Sequence, residues 1–188
     1  MKTNVRLAVI LLTVLGCVGC DQATKSIARD QLPLRQVISL LNDTVRLEHT
    51  ENPGAFLGLG DTLSSTARRF LFTLGGAVLV TATAVWAFRS RRISAPQIVG
   101  AALICGGGLG NVIDRVSQDG NVTDFLNVGV GLVRTGIFNL ADMALMLGIA
   151  LLVVGDLFVA RLSRNPTAAS ASRLLQFSSR KEPRRWIP

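Results

Sequence analysis

The sequence has little charge and almost no histidine. Only 17% of its 188 residues are charged, whereas soluble domains carry roughly 25%. His49 is the only histidine, which excludes every metal site that needs two or more histidines. Tyrosine is absent, and no Gly-x-Ser-x-Gly turn offers a serine nucleophile. Catalysis would therefore rest on carboxylates, serines or Lys25.

Disulfides and intrinsic disorder are excluded as well. The three cysteines, Cys17, Cys20 and Cys105, all lie within apolar runs, which argues against a disulfide framework. A hydrophobic content of 49% is too high for disorder over most of the chain. The length fits one compact domain.

Four long apolar stretches dominate the chain, and a helix needs ~20 apolar residues to cross a bilayer. We therefore predict an α-helical integral membrane protein with four transmembrane helices. The predicted domain covers residues 1–160, with spans at about 7–25, 70–88, 93–113 and 137–160 and outer loops at 26–69 and 114–136. Residues 161–188 form a basic tail that we expect to be disordered and to contact anionic lipids.

The first stretch also fits a cleaved signal peptide, since Lys2 and Arg6 precede an apolar run. Residues 14–17 even resemble the recognition box of a bacterial lipoprotein. Three further apolar stretches favour a retained helix instead, because lipoproteins rarely continue into more membrane spans.

Basic residues are distributed asymmetrically about the four spans. The side that holds both termini carries 12 of the 20 basic residues, opposed by two of the 12 acidic residues. The other side carries eight basic and ten acidic residues. By the positive-inside rule, both termini are cytoplasmic and the two large loops face outward.

The outer loops have the patterns of strands. Residues 37–41, 42–44 and 45–49 read as strand, turn and strand, and residues in the second outer loop are strand-like too. We predict a small periplasmic β-element lying on the membrane surface.

Asp142 is the most informative residue, because a carboxylate inside an apolar segment is costly and rare. It follows the start of the fourth stretch by one helical turn, where it could also cap the helix, although Asn139 is available for that role. Asp124 lies in the loop that leads into this stretch. Taken alone it is a solvated turn residue, but the loop can bring it to Asp142. Two adjacent carboxylates share one proton and can divide the tasks of general base and general acid.

Other motifs are less specific. Residues 106–110 are glycine-rich but lack the spacing of a phosphate-binding loop, so we expect close helix packing. Residues 52–58 form a turn that either dips into lipid or lines a substrate groove. Asp21 and Lys25 stand at i and i+4, the order that favours an ion pair. A Ser26–Lys25 dyad is disfavoured because adjacent side chains diverge, and His49 is expected on the polar face of a strand.

Taken together, five ordered motifs resemble the lipoprotein signal peptidase family, also called signal peptidase II, over roughly residues 7–160. They are Asp21-Gln22-x-x-Lys25, Asn52-Pro53-Gly54-Ala55-Phe56, Gly110-Asn111-x-x-Asp114-Arg115, Val122-x-Asp124-Phe125 and Phe138-Asn139-x-Ala141-Asp142.

The resemblance implies a membrane-embedded aspartic endopeptidase that is inhibited by globomycin. It removes signal peptides from prolipoproteins, just before a cysteine that carries diacylglycerol. Asp124 and Asp142 would be the catalytic dyad, and Arg115 would hold the substrate backbone. The remaining implied residues shape the site (Asn52, Gly54, Asn111, Asn139) or support the structure around it (Asp21, Lys25, Asp114).

The resemblance also implies a monomer in the bacterial inner membrane, without metal or cofactor, whose partners are prolipoproteins and membrane lipids. A transporter or lipid-binding protein that uses Asp142 in a proton relay is the alternative, but no internal repeat supports it. Nucleic-acid binding by the tail lacks any recognisable motif.

Overall fold

The computed structural model describes residues 3–33, 36–54, 63–90 and 93–164. The elements in chain order are α1 (Thr3–Gln31), β1 (Val37–Leu40), β2 (Val45–Asn52), α2 (Ser65–Arg89), α3 (Ala95–Ser117), β3 (Val122–Val130), β4 (Val133–Arg134) and α4 (Leu140–Arg164). The predicted fold class, four apolar helices with a small β-element, is confirmed.

All four helices are long and apolar enough to cross a membrane. Their outward side chains are apolar and exposed, as lipid contact requires; Leu12 of α1 and Val78 of α2 are examples. Residues Met1–Leu152 form one compact unit, and the described part of a second unit, Val153–Pro188, is the last turns of α4. Residues 165–188 of the predicted tail lie outside the described residues.

Two helices begin later than predicted, for local reasons. Ser94 caps α3: its hydroxyl accepts from the Gln97 backbone, and the Gln97 side chain accepts in return from the Ser94 backbone N–H. Residue 137 is not yet helical in α4, because Phe138 still belongs to the sheet. The backbones of Phe138 and Leu126 exchange two hydrogen bonds.

The central helix is α3, which is the most buried of the four. Its glycines allow neighbours to approach on three sides. Gly106 faces α1, Gly108 faces α2 and Gly107 faces α4, and a Cβ on any of them would collide with the neighbouring helix. This confirms that the glycine-rich run serves close helix packing.

The four strands form one antiparallel sheet in the order β1-β2-β3-β4. The predicted strand, turn and strand are confirmed as β1 and β2. Pairing of β2 with β3 joins the two outer loops, with a register shift between Leu47 and Thr50. The pairing sets Thr50 opposite Asp124 and Asn52 opposite Val122. Asn52 therefore lies beside the carboxylate of Asp124.

His49 lies on a strand, β2, as expected, but the expected polar, solvent-facing position is wrong: its side chain is only 8% exposed. There its ring lies 3.1 Å from a carboxylate oxygen of Glu51.

Candidate active site

The two predicted dyad residues come from different elements. Asp124 lies on β3 and is 2% exposed. Asp142 lies in the first turn of α4. The sheet and α4 are joined by Phe138, and Asn139 follows it, so both carboxylates reach the same asparagine, Asn139.

Asp142 takes part in a reciprocal helix cap. Its backbone N–H donates to the side-chain oxygen of Asn139 (3.0 Å), and its carboxylate accepts from the Asn139 backbone N–H (3.3 Å). The sequence allowed either capping or chemistry at Asp142. Both are compatible, because the cap occupies one carboxylate oxygen and holds the side chain in a fixed position.

Each of the four dyad oxygens accepts one N–H. The Asp124 carboxylate accepts from the side-chain amides of Asn139 (2.6 Å) and Asn52 (2.8 Å). The Asp142 carboxylate accepts from the Asn111 amide (2.9 Å) and from the Asn139 backbone. No cation is hydrogen-bonded or ion-paired to either carboxylate among the described residues. The dyad is therefore held by neutral donors, and each oxygen keeps a lone pair for a proton or a water molecule.

The surroundings favour the protonated form of Asp124. Burial raises the pKa of Asp124 to about 6, and the charge of Asp142 acts in the same direction. Hydrogen bonds from Asn52 and Asn139 and the charge of Lys25 oppose the increase. A carboxyl group in this range can hold a proton near neutral pH.

The three predicted supporting residues form a buried ionic cluster next to the dyad. Lys25 Nζ lies 2.8 Å from Asp21 and 3.1 Å from Asp114, and all three side chains are 0% exposed. Backbone N–H groups complete it: that of Ala141 donates to Asp21, and that of Thr123 donates to Asp114. The predicted Asp21–Lys25 pair is thus confirmed, and this ionic cluster fastens α1 and α3 to α4 and β3.

The ionic cluster reaches the dyad through Asn111. Lys25 Nζ donates to the amide oxygen of Asn111 at 2.9 Å, and the Asn111 amide nitrogen donates to Asp142. Asn111 is the only residue among those described that bonds to both Lys25 and a dyad carboxylate.

Gln22, Thr123 and Arg29 were not identified as site residues from the sequence. The Gln22 amide donates to Asp21, to Asp114 and to the Gly110 carbonyl, and Arg29 donates to the Thr123 hydroxyl. Gln22 belongs to the Asp21-Gln22-x-x-Lys25 motif, which was a usable signal. For Thr123 and Arg29 the sequence offers none, since their contact spans 94 residues.

Arg115 and Gly54 meet at the mouth of the site. A guanidinium nitrogen of Arg115 donates to the Gly54 carbonyl at 2.9 Å, and the group lies 5.9 Å from the Phe72 ring centre. The Nε atom of Arg115 is buried without a hydrogen-bond partner in the described part of the chain. Asn52 stabilises the turn at Gly54 by accepting its N–H at 3.0 Å. Residues 55–58 of this motif lie outside the described residues.

An apolar groove of about 540 Å³ lies between α2, α3 and α4. Its polar end contains Asn111, Arg115 and Asp142. The remainder is lined by apolar side chains and glycines, among them Phe72 and Leu79 of α2. One of the two dyad carboxylates therefore faces an apolar cleft that is open to a ligand. Among the described residues, no three His, Cys, Asp or Glu side chains are grouped to bind a metal ion.

Known proteins are similar to this chain in sequence and in fold. Lipoprotein signal peptidase of Streptococcus pneumoniae is 33% identical over 150 residues, which cover 80% of this chain and 93% of that protein. The lipoprotein signal peptidase of Desulforapulum autotrophicum is 31% identical over 159 residues, 84% of this chain and 96% of that protein. A solved structure, described as a bacterial membrane enzyme determined by the in meso method at 2.3 Å resolution, has the same fold. Its TM-score is 0.66 at 22% identity, covering 98% of this chain and 96% of that one.

The family model described as signal peptidase (SPase) II matches residues 13–158, which is most of the chain. That range includes both dyad residues, the ionic cluster and most of the four apolar helices. The chain is a multi-pass membrane protein that belongs to the signal peptidase II family.

Proposed function

We propose that this protein is an intramembrane aspartic endopeptidase. It cleaves the signal peptide from diacylglyceryl-modified prolipoproteins, just before the lipidated cysteine. Its relatives are named lipoprotein signal peptidases, and the two predicted catalytic carboxylates lie in one site, where both accept hydrogen bonds from Asn139.

The observation that carries the proposal is the pairing of Asp124 with Asp142. The two carboxylates share Asn139 as a hydrogen-bond donor, and four N–H groups hold their four oxygens. The raised pKa of Asp124, about 6, lets the pair keep one proton. A pair with one proton contains both a general base and a general acid, which hydrolysis of an amide requires.

The reaction follows from these two roles. The ionised carboxylate takes a proton from a water molecule while the oxygen of that water attacks the scissile carbonyl carbon. The protonated carboxyl gives its proton to the carbonyl oxygen, which yields a tetrahedral diol. The first carboxyl, now protonated, donates to the leaving nitrogen as the carbon–nitrogen bond breaks, while the second carboxylate takes back a proton from a hydroxyl of the diol. The new carboxylic acid and amine leave, and the pair is returned to one proton.

The groove and its rim provide places for the substrate. Its apolar part, between α2 and α4, suits an apolar peptide segment or an acyl chain, and the polar end holds the scissile bond beside Asp142. Arg115 Nε, which has no hydrogen-bond partner among the described residues, can donate to a substrate carbonyl. Asn52 and Gly54 shape the rim on the side of Asp124.

The cellular placement is part of the proposal. Residues 1–160 are the peptidase domain of a bacterial inner-membrane protein whose termini are cytoplasmic. The excess of basic residues on the side of the termini supports this orientation. The dyad then lies near the periplasmic face, because Asp142 opens α4 directly after the sheet. One chain supplies the dyad and the groove, so we propose a monomer that needs no metal or cofactor.

Cleavage of a purified diacylated prolipoprotein tests the proposal. Asp124→Asn and Asp142→Asn should each lower kcat by ~10³-fold or more, since general acid–base catalysis contributes about 10²–10⁴-fold per group. Asp119→Asn is the matched control, because Asp119 is exposed and pairs with Arg69 away from the dyad. EDTA should leave the rate unchanged. Full activity in either dyad variant, or loss in EDTA with recovery on adding metal, would refute the mechanism.

A further inference from the structure

The side-chain amides of the asparagines around the dyad are each held in one orientation. An asparagine side chain can present either its oxygen or its NH₂ group to a neighbour. At this site a donor on the side away from the carboxylate fixes the orientation of each amide. The oxygen of Asn52 accepts from the Gly54 backbone N–H, and the oxygen of Asn139 accepts from the Asp142 backbone N–H. Backbone N–H groups can only donate, so both NH₂ groups must face Asp124.

For Asn111 the fixing group is a side chain. Its oxygen accepts from Lys25 Nζ at 2.9 Å and, over a longer distance of 3.3 Å, from the side-chain amide of Asn139. The closer group, the ammonium, has three donors and no acceptor. The Asn111 NH₂ group must therefore face Asp142. If Lys25 were replaced by a group that can also accept, only the longer hydrogen bond from Asn139 would oppose a half-turn of the Asn111 amide that presents its oxygen to the Asp142 carboxylate.

We propose that Lys25 is a positioning residue for catalysis: its ammonium group holds the Asn111 amide in the one orientation that donates to Asp142. This rests on the proposed function and extends it, because the resemblance implies only structural support for Lys25. In this orientation the Asn111 NH₂ group donates to Asp142 whether or not Asp142 is protonated. No extra proton is needed to satisfy that oxygen, so the Asp124–Asp142 pair is active with one proton.

The charged groups around Asn111 and Asp142 come from three elements. Lys25 and Asp21 lie on α1, Asp114 and Arg115 lie on α3, and Asp124 lies on β3. The side of the groove formed by α2 is lined by apolar residues and glycine. A change in the pH dependence of kcat in an Asn111 variant is therefore attributed to the titration of these charged groups and Asp142.

The first test uses Asn111→Asp. The new carboxylate can still pair with Lys25, so the variant should fold, but it presents an acceptor to Asp142. One extra proton, bound between the two carboxylates, restores the missing donor. We expect kcat, relative to wild type at the same pH, to be at least ~100-fold lower at pH 8 and to recover substantially as the pH is lowered, with KM within a factor of about two. Asn127→Asp is the matched control: Asn127 is also buried, lies on β3 and bonds to Arg134 and Thr135 away from the dyad.

The second test addresses Lys25 itself. Lys25→Met would leave two buried carboxylates without a cation and could unfold the protein. The double variant Lys25→Gln, Asp114→Asn removes one charge of each sign, so the net charge of the ionic cluster stays the same. The glutamine side chain can donate or accept, so it no longer fixes the orientation of the Asn111 amide. Compared with Asp114→Asn alone, the double variant should lose a further ~10-fold in kcat.

The outcomes separate this proposal from the proposed function. If wild-type protein does not cleave the diacylated prolipoprotein, the proposed function fails. If wild type cleaves and Asn111→Asp loses activity equally at all pH values, or keeps the wild-type profile, the positioning role is overturned. Equal activity of the double variant and Asp114→Asn would overturn the role of Lys25. Recovery of Asn111→Asp at low pH, with the control unchanged, supports the proposal.

Discussion

Two carboxylate pairs lie close to each other in this protein, one fully buried and one partly buried, and their surroundings differ in one respect. Asp21 and Asp114 share the ammonium group of Lys25, whereas Asp124 and Asp142 are hydrogen-bonded to neutral amides alone. Removing carboxylates from water is costly unless a cation compensates them. The ion pairs with Lys25 therefore offset part of the cost of burying the first pair. The second pair lacks that compensation, and its tendency to keep a proton is what acid–base chemistry requires.

The comparison also explains why the site can be both stable and reactive. The ionic cluster ties α1 and α3 to the backbone at Ala141 and Thr123, which adjoin the two dyad residues. Ion pairs thus hold the frame, that is, the packing of α1 and α3 against α4 and β3. Hydrogen bonds from neutral groups hold the carboxylates that change charge during the reaction.

Removing the cation should produce the largest loss of stability. Lys25→Met leaves Asp21 and Asp114 buried and uncompensated, so we expect a loss of about 3–5 kcal/mol in the free energy of unfolding. Denaturation of the purified protein in detergent would measure it. Lys181→Met, in the predicted tail, is the control for losing a lysine charge. A variant as stable as wild type would show that the ion pairs do not hold the frame.

Crowding the ionic cluster should have a smaller effect. A Cβ at Gly110 would lie 2.5 Å from a carboxylate oxygen of Asp21, so Gly110→Ala must displace that carboxylate. We expect a loss of ~1–3 kcal/mol, typical of overpacking. Gly16→Ala is the matched control, because a Cβ there meets nothing within 4 Å. An equal thermal midpoint for the two variants would contradict the tight fit at Gly110.

Removing one hydrogen-bond donor to the dyad should shift the pH profile of kcat to higher pH. The Asn52 hydrogen bond lowers the pKa of Asp124, so Asn52→Ala should raise that pKa further above its present value of about 6. The pair loses its proton above this pKa, and the basic limb of the kcat profile should move to higher pH by up to about one unit. The rate should fall ~10-fold, the equivalent of one hydrogen bond.

The control for this profile is Asn121→Ala, just before β3 and away from the dyad. A basic limb that moves to lower pH in Asn52→Ala, or does not move at all, would contradict the effect assigned to the Asn52 donor.

An exposed carboxylate should matter least. Asp43 pairs with Arg46 at 2.6 Å on the outer surface, and hydrogen bonds from Arg46 and Ser39 hold its pKa well below the ordinary value. Any stabilisation is present above pH ~4 and is lost as Asp43 is protonated at lower pH. Asp43→Asn should leave cleavage unchanged at pH 7 and barely shift the thermal midpoint. A marked loss of cleavage would mean that surface charge contributes to the site.

Much of the fold could be predicted from local pattern. Hydropathy identified four helices, and alternation at residues 45–48 identified β2. The pairing of β2 with β3 was not predicted, because it joins residues 70 to 83 positions apart. The burial of His49 was not predicted either, because a strand pattern does not show what will cover each face of the strand.

For the site, the sequence supplied the residues but not the connections among them. Asp142 is conspicuous because it interrupts an apolar segment, and the five motifs predicted the family that the comparisons confirm. The link from Lys25 through Asn111 to Asp142 joins α1, α3 and α4, and it depends on side-chain geometry that spacing does not encode. The catalytic roles themselves stay predictions until measured.

The most direct test compares asparagine substitutions in the two carboxylate pairs, with cleavage of diacylated prolipoprotein and the thermal midpoint measured for each variant. Asp124→Asn and Asp142→Asn should abolish detectable cleavage and keep a midpoint close to that of wild type. Asp21→Asn and Asp114→Asn should lower the midpoint while the remaining folded protein still cleaves. Full cleavage by either dyad variant, or a complete loss of cleavage in folded Asp21→Asn and Asp114→Asn proteins, would contradict the division between frame and catalyst.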